Sequence, residues 1–443
     1  MDLWSLLAGV GVFAALGLFV GMVTGLSPGL HVNNVAAFLI AGQAAWIGLL
    51  ASVSPAFSTE PEMAQISLAC FLVATASSHA VFTFIPSVFL GAPTEDTALA
   101  TLPGHRLLRS GQGARAVALA ARGAVLGTLL SVAFLVPLRL LLADPVDLAG
   151  RFHPWAPLFL VGVLGALLAA EVRGPNRARR VRRAGLVQAL AGVVGIASLR
   201  GTLPIDPAMI LFPLFSGLFG IPNLVIGLAA RPGDLPPQRV EPLRPLSRED
   251  ARSALRGSLA GAAISWLPGL SGGAAATLAS VGSRRRVGPS QFMVVLGAVS
   301  SSTGLLSVAV LYMIHRSRSG TAAAVRVLVG EPAPWPDPAS LPAALLLLVL
   351  AAFGATAASA PLAVRLSRRL AKRWSRSDPR RLAAASLLAI LSLLAFTTGG
   401  AGLAVAACAT LLGFVPIRLR VRRVHLMASL LIPVLLSALF AGA

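Results

Sequence analysis

Acidic side chains are scarce: 16 Asp and Glu stand against 37 Lys and Arg. None of the 16 lies midway along an apolar run; Glu171 comes nearest, at the end of one. That argues against a carboxylate relay carrying protons through a membrane, and against an intramembrane enzyme built on an acid–base pair. Cysteine is nearly absent. Cys70 and Cys408 both fall in apolar stretches and read as small buried side chains, not as a disulfide or a metal site. No phosphate-binding glycine loop ending in Lys is present, since Lys372 is the only lysine, so the chain does not drive pumping with ATP by itself. No nucleophile triad or metal-ligand spacing appears either. An enzyme is not expected, and no cofactor is expected beyond a coupling Na+ or H+.

What is abundant is apolar. Hydrophobic residues make up 56% of the 443, charged residues 12%, and the mean hydropathy is +0.81. Long apolar runs recur from end to end, the mark of a polytopic helical membrane protein. The run from Leu3 to Val20 leads directly into a Pro-Gly break, so a cleavable signal is not expected. A net charge of +21 raises the question of nucleic acid, but the basic residues sit in short loops between apolar runs, where they set orientation in a bilayer. Nucleic acid is not an expected partner; the lipid bilayer is.

Two stretches interrupt apolar runs in the same way. Gly25-Leu26-Ser27-Pro28-Gly29-Leu30-His31-Val32-Asn33-Asn34 lies inside the run Leu3–Leu50, and Ser265-Trp266-Leu267-Pro268-Gly269-Leu270-Ser271-Gly272-Gly273 lies far downstream. Proline removes a backbone donor and glycine frees the backbone, so a helix breaks there. Either break alone reads equally as an ordinary kink. Broken apolar segments at matching places in two halves point to a transporter site.

Taken in order, the chain predicts a helical hairpin over 3–50, then spans at 64–90, 116–142, 155–170, 184–199 and 208–230. A Pro- and Arg-rich stretch, 231–256, reads as a cytoplasmic linker. A second hairpin follows at 257–281, then spans at 291–314, 341–364, 382–396, 402–416 and 424–441. If both hairpins leave on the side they entered, about 30 of the 37 Lys and Arg fall in loops on one side, which is then cytoplasmic. Five spans per half make the halves, 1–230 and 257–443, two inverted repeats. The fold expected is therefore all-α and polytopic, in the plasma membrane, with two re-entrant Pro-Gly hairpins each followed by about five spans. Sequence matches support the repeat: Ala74-Thr75-Ala76-Ser77-Ser78-His79 lines up with Ala298-Val299-Ser300-Ser301-Ser302-Thr303, and Arg109-Ser110-Gly111 with Arg318-Ser319-Gly320.

The chemistry of such breaks favours an anion. Backbone groups freed at membrane depth must line protein or a wet cavity. A helix starting after Pro-Gly turns its N–H groups and positive dipole end toward that cavity. The candidate binding residues are therefore Ser27, Pro28, Gly29, His31, Asn33 and Asn34 in the first hairpin, and Pro268, Gly269, Ser271, Gly272 and Gly273 in the second. The mid-span polar residues Ser77, Ser78, His79, Ser301, Ser302 and Thr303 join them. Each of these also reads as helix-to-helix packing, where Ser and Thr are common. His79 is the one ionisable group expected mid-membrane; it handles a proton or is hydrogen-bonded for structure.

The two hairpin sequences, Gly25 to Leu30 and Trp266 to Gly273, resemble the paired signatures of the large membrane subunit of tripartite tricarboxylate transporters, the TctA family. The run from Phe84 to Arg122 is similar to that family's segment after its first hairpin. It contains Gly91-Ala92-Pro93-Thr94-Glu95-Asp96-Thr97-Ala98, Leu102-Pro103-Gly104-His105 and Gly111-Gln112-Gly113-Ala114-Arg115-Ala116-Val117. His31 and Arg318-Ser319-Gly320-Thr321-Ala322 resemble an archaeal, largely uncharacterised branch. The resemblance implies an elevator-type secondary transporter of small organic anions such as carboxylates, with a small membrane subunit and an extracytoplasmic binding protein as partners, and a homodimer as one assembly. Where the family carries acidic and Asn residues in its second half, this chain has Ser300 to Thr303, so citrate-like substrate and sodium coupling do not carry over residue by residue. Similar hairpins with Ser-Gly-Gly occur in polyprenyl-phosphate translocases, which makes a lipid phosphate the alternative cargo. A membrane scaffold without transport is the third class.

Overall fold

The computed structural model describes residues 3–27, 30, 32–53, 57, 61–89, 101–169, 171–172, 176–205, 209–229, 236–240, 244–267, 272–281, 288–331, 335, 337–374 and 379–440. Among them there are helices and connecting turns and no strand. Hydrocarbon offers no hydrogen bonds, so a chain this apolar satisfies its backbone within each segment. Nine of the helices are long and apolar enough to cross a membrane.

In the first half the helices are α1 (Leu3–Leu26), α2 (Val32–Ala41), α3 (Gln43–Val53), α4 (Pro61–Phe82), α5 (Phe84–Phe89), α6 (Thr101–Arg109), α7 (Gly113–Leu142), α8 (Leu148–Phe152), α9 (Ala156–Ala169), α10 (Arg177–Leu199), α11 (Leu211–Phe215) and α12 (Ile221–Leu228). In the second half they are α13 (Arg248–Ile264), α14 (Gly272–Val281), α15 (Pro289–Ile314), α16 (Gly320–Val329), α17 (Ala343–Trp374), α18 (Pro379–Leu419) and α19 (Ala428–Phe440).

Helix direction follows from which ends share a core. One hydrophobic cluster joins the N-terminal part of α4 (Met63 to Val73), the C-terminal part of α7 (Leu135 to Leu142), the C-terminal part of α15 (Leu305 to Met313) and the N-terminal part of α17 (Leu345 to Ala352). A second cluster joins the opposite ends of the same four helices. So α4 and α17 run one way, and α7 and α15 run the other. The legs into the two breaks are parallel to the spans they pack on. Gly17, Gly21 and Gly25 of α1 meet Phe71, Thr75 and His79 of α4 in that order, and Gly257 and Gly261 of α13 meet Val295 and Val299 of α15 in that order.

The helices sort into two bodies, each drawn from both halves of the chain. α1–α7 pack with α13–α17, and α9–α12 pack with α18 and α19. The principal pairing across the divide is α14 against the short 3-10 segment Arg423–Met427. A Phe152–Trp266 ring pair 5.1 Å apart ties α8 to the segment that follows α13.

Several boundaries differ from the sequence expectation, for local reasons. The second leg begins at Arg248 inside the expected linker, because Ser247 and Asp250 form a capping box there. The expected loops hold three short helices, α6, α8 and α16; Ser319 caps α16 by accepting the Ala322 N–H at 3.0 Å. The span expected at 155–170 is a 14-residue helix, shorter than a straight crossing needs. The second half of the expected first hairpin divides into α2 and α3 at Gly42. The spans expected at 382–396 and 402–416 are joined without a loop into α18, but Gly399 is non-helical, with φ 61°. The chain reverses there. Ala383 packs on Gly227 and Gly413 packs on Pro222, sites about 8 Å apart along α12, whereas a straight helix would separate 383 from 413 by about 45 Å.

Candidate functional site

The approach to the first break is a close helix pair. At Gly17 and Gly21 a Cβ would stand 2.2 Å and 2.3 Å from the backbone oxygens of Phe71 and Thr75. Only glycine permits that distance, and it brings polar side chains of α4 onto α1. Ser78, fully buried, donates to the Leu18 carbonyl at 2.8 Å and accepts from Ser359 of α17 at 3.0 Å. His79, 6% exposed, has Nδ1 3.0 Å from the Thr24 hydroxyl. Ser77 is half-buried beside them. α1 then ends, with Ser27 N–H donating to Val23 O and Leu30 N–H to Ser27 O.

The approach to the second break repeats this arrangement. Gly261 lies against Ser302 and Thr303 of α15. Ser302, fully buried, donates to the Gly127 carbonyl of α7 at 3.0 Å, and Ser301 to Ala298 O at 3.3 Å. The hydroxyls of Ser300 and Thr303 are buried without a hydrogen-bond partner among the described residues. Gly304, the next residue, faces open space. Ser265 closes α13 by donating to Ala262 O at 2.8 Å. Gly272 and Gly273 are buried at the start of α14.

Two arrangements are barely legible in the linear sequence. Arg318, which lies in an expected outer loop, donates through Nε to the Leu267 carbonyl at 2.6 Å, one residue before Pro268. The adjoining Ser319 hydroxyl lies 3.1 Å from that of Ser307 on α15, and α16 packs on α2 and α4. The segment therefore touches both Leu267, before the second break, and α2, after the first. Its match to Arg109-Ser110-Gly111 is the one hint the sequence offers. The second arrangement surrounds Glu171, which has no exposed surface. Arg180 donates to its Oε2 from Nη2 at 2.6 Å and from Nε at 3.1 Å. The Arg422 N–H reaches Oε1 at 3.1 Å, and His425 Nε2 lies 3.4 Å from the same oxygen. Burial pushes the carboxyl pKa up, but these donors outweigh it and hold it below the usual carboxylate range. The cluster ties the end of α9 and α10 to the start of the last helix.

Of the expected site residues, Ser78, His79, Ser301 and Ser302 lie on the inner helices flanking the two legs, with hydrogen bonds to neighbouring helices or to their own backbone. Pro28, Gly29, His31, Pro268, Gly269 and Ser271, with the side chains of Asn33 and Asn34, lie outside the described residues. Among the described residues no His, Cys, Asp and Glu group forms a metal cluster.

A model of the tripartite tricarboxylate transporter TctA family matches residues 12–428. The chain belongs to that family. It is a multi-pass membrane protein of a transporter family, and a tripartite system brings a substrate and further subunits with it. An uncharacterized protein of Methanocaldococcus jannaschii is 28% identical over 318 residues, covering 72% of each chain. That relative accords with the archaeal branch the hairpin sequences resemble. No solved structure matches this TctA-family chain.

Proposed function

We propose that this TctA-family chain is a secondary transporter of a small organic anion, such as a carboxylate, held between two re-entrant Pro-Gly hairpins. The observation that carries the reading is the shared register of the two legs. Gly17, Gly21 and Gly25 stand 11, 7 and 3 residues before Pro28; Gly257, Gly261 and Ser265 stand at the same distances before Pro268. The glycines meet α4 and α15 in the register that pairs Ala74–His79 with Ala298–Thr303: Thr75 with Val299, Ser78 with Ser302 and His79 with Thr303, and, continuing that register, Phe71 with Val295. A leg parallel to the next span requires the chain to have returned to its starting side in between, which supports re-entry at both breaks. The opposite directions of α4 and α15 support inversion of the halves.

The division into two bodies, each containing parts of both halves, supports alternating access by an elevator movement. In this reading α1–α7 and α13–α17 carry the cargo against a frame of α9–α12, α18 and α19. The cargo is neutralised by helix N-termini and neutral side chains, since no acidic side chain lies mid-span. A coupling Na+ or H+, a small membrane subunit, an extracytoplasmic binding protein and a homodimeric assembly complete the proposal.

Uptake of labelled organic acids into proteoliposomes tests it. Gly29→Leu and Gly269→Leu should each abolish uptake while the protein still inserts and purifies. Full uptake by both variants would remove the hairpins as the site. Purified protein that retains polyprenyl phosphate and takes up no water-soluble acid would replace the reading with lipid-phosphate translocation.

A further inference from the structure

Arg423 is a half-buried cation without an acid among the described residues. It opens the last membrane helix, and its Nη1 donates to Asn223 Oδ1 of α12. Asn223 is oriented for this, because its Nδ2 donates to Phe219 O at 2.8 Å. Arg423 makes no ion pair among the described residues. The buried carboxylate of Glu171, which the flanking residues Arg422 and His425 contact, is also held by Arg180, so both its oxygens are occupied. A neutral amide does not repay the burial of a guanidinium.

His105 of α6 belongs to the other body. Its Nε2 is buried and has no hydrogen-bond partner among the described residues. Burial first, and then the charges of Arg109 and Arg423, lower its pKa to about 4, so the ring is neutral at physiological pH. Burial is the larger cause, and the two guanidiniums add a smaller positive field. The segment Arg423–Met427 is also where α14, the helix that follows the second break, meets the frame body.

We propose that Arg423, Asn223 and His105 form a subsite for the carboxylate or phosphate group of an anion, at the junction of the two bodies. The guanidinium fork supplies the charge and two parallel donors. Asn223 holds the fork in place, and the imidazole Nε2 adds a neutral donor from the facing body. That the anion is cargo rests on the transport reading above; the binding does not.

The test uses the purified full chain in detergent, with thermal unfolding and titration calorimetry. The probes are citrate, inorganic phosphate and a short-chain phosphatidic acid, each against sodium chloride at matched ionic strength. At least one probe should stabilise the protein saturably. Arg423→Gln should weaken that probe by about tenfold or more, the factor one charge-assisted contact contributes. Asn223→Asp should place a carboxylate on Arg423 from within. That variant should melt higher than the parent without ligand and lose the response, and it carries the test if Arg423→Gln fails to fold. Exposed Arg420→Gln should respond like the parent. A response to citrate or inorganic phosphate assigns a water-soluble cargo; a response to phosphatidic acid alone assigns a lipid headgroup. No response beyond chloride, or an unchanged response in both Arg423→Gln and Asn223→Asp, overturns the subsite. Saturable binding lost in Asn223→Asp, in a protein that takes up none of the probes, sinks the transport reading and leaves the subsite standing.

Discussion

Replacing Gly21 by alanine adds one methyl group where the first leg lies tightly against α4. Its Cβ would stand 2.3 Å from the Thr75 carbonyl oxygen, 2.7 Å from Ser78 Cβ and 3.0 Å from His79 N. Two of the three obstacles are backbone atoms of α4, so a side-chain rotation cannot relieve the clash. Relief to ordinary contact needs α1 and α4 to separate by about 1 Å. That displacement stretches the 2.8 Å bond from Ser78 to Leu18 O and the 3.0 Å contact between His79 and Thr24 beyond hydrogen-bond range. Overpacking of this kind costs about 1–3 kcal/mol, and each interhelical hydrogen bond in a membrane protein contributes about 0.6 kcal/mol. The expected destabilisation is therefore about 2–4 kcal/mol. Gly261→Ala should behave alike, since its Cβ would lie 2.7 Å from Ser302 Cβ and 3.0 Å from Val299 O. Gly11→Ala is the control, on the same helix as Gly21 with nothing within 4 Å. Unfolding in a denaturing-detergent titration measures all three. If Gly21→Ala and Gly261→Ala unfold where Gly11→Ala does, the legs are not clamped as the distances require, and the register argument for the hairpins fails with them.

Glu171→Gln should destabilise the frame body by about 1–3 kcal/mol, less than a fully buried pair because Arg180 and Arg422 are partly exposed. The Glu171 carboxyl is held below its ordinary value of 4.5, so its contribution is complete above that pH and is lost as the pH falls through the folded value. The parent should lose stability in that acid window and Glu171→Gln should not; parallel acid profiles of the two melting curves would refute the assignment. Single cysteines placed in a background lacking Cys70 and Cys408 test the orientation with an impermeant thiol reagent. A cysteine at Arg180 should be protected in intact cells and one at Ser58 labelled, while cysteines at Ser283 and Asp250 should report the same side. Opposite labelling at those last two positions would make the second hairpin a full crossing.

The sequence by itself determined the class of the protein and most of its helices. Apolar runs long enough to cross a bilayer have few alternatives to helix, because hydrocarbon leaves no other way to satisfy the backbone. The distribution of arginine, the Pro-Gly breaks and the match of Ala74–His79 to Ala298–Thr303 are all local patterns, and they identified the family resemblance and the paired polar positions. Boundaries were less legible where a cap or a single glycine decides them, as at Ser247 and Gly399.

Only the tertiary structure decided what the polar side chains do. Ser78 and Ser302 look alike in sequence, yet one bonds to α1 and α17 and the other to α7, because helix crossing, not spacing along the chain, selects the neighbour. The same holds for Arg318 on Leu267, for Glu171 with Arg180, Arg422 and His425, and for Arg423 with Asn223. Each joins residues at least 9 and up to 254 positions apart. Charged residues in loops read as orientation signals in one dimension. Whether such a charge is solvated, paired or buried without a counter-charge depends on which helix ends meet, and that is fixed by packing.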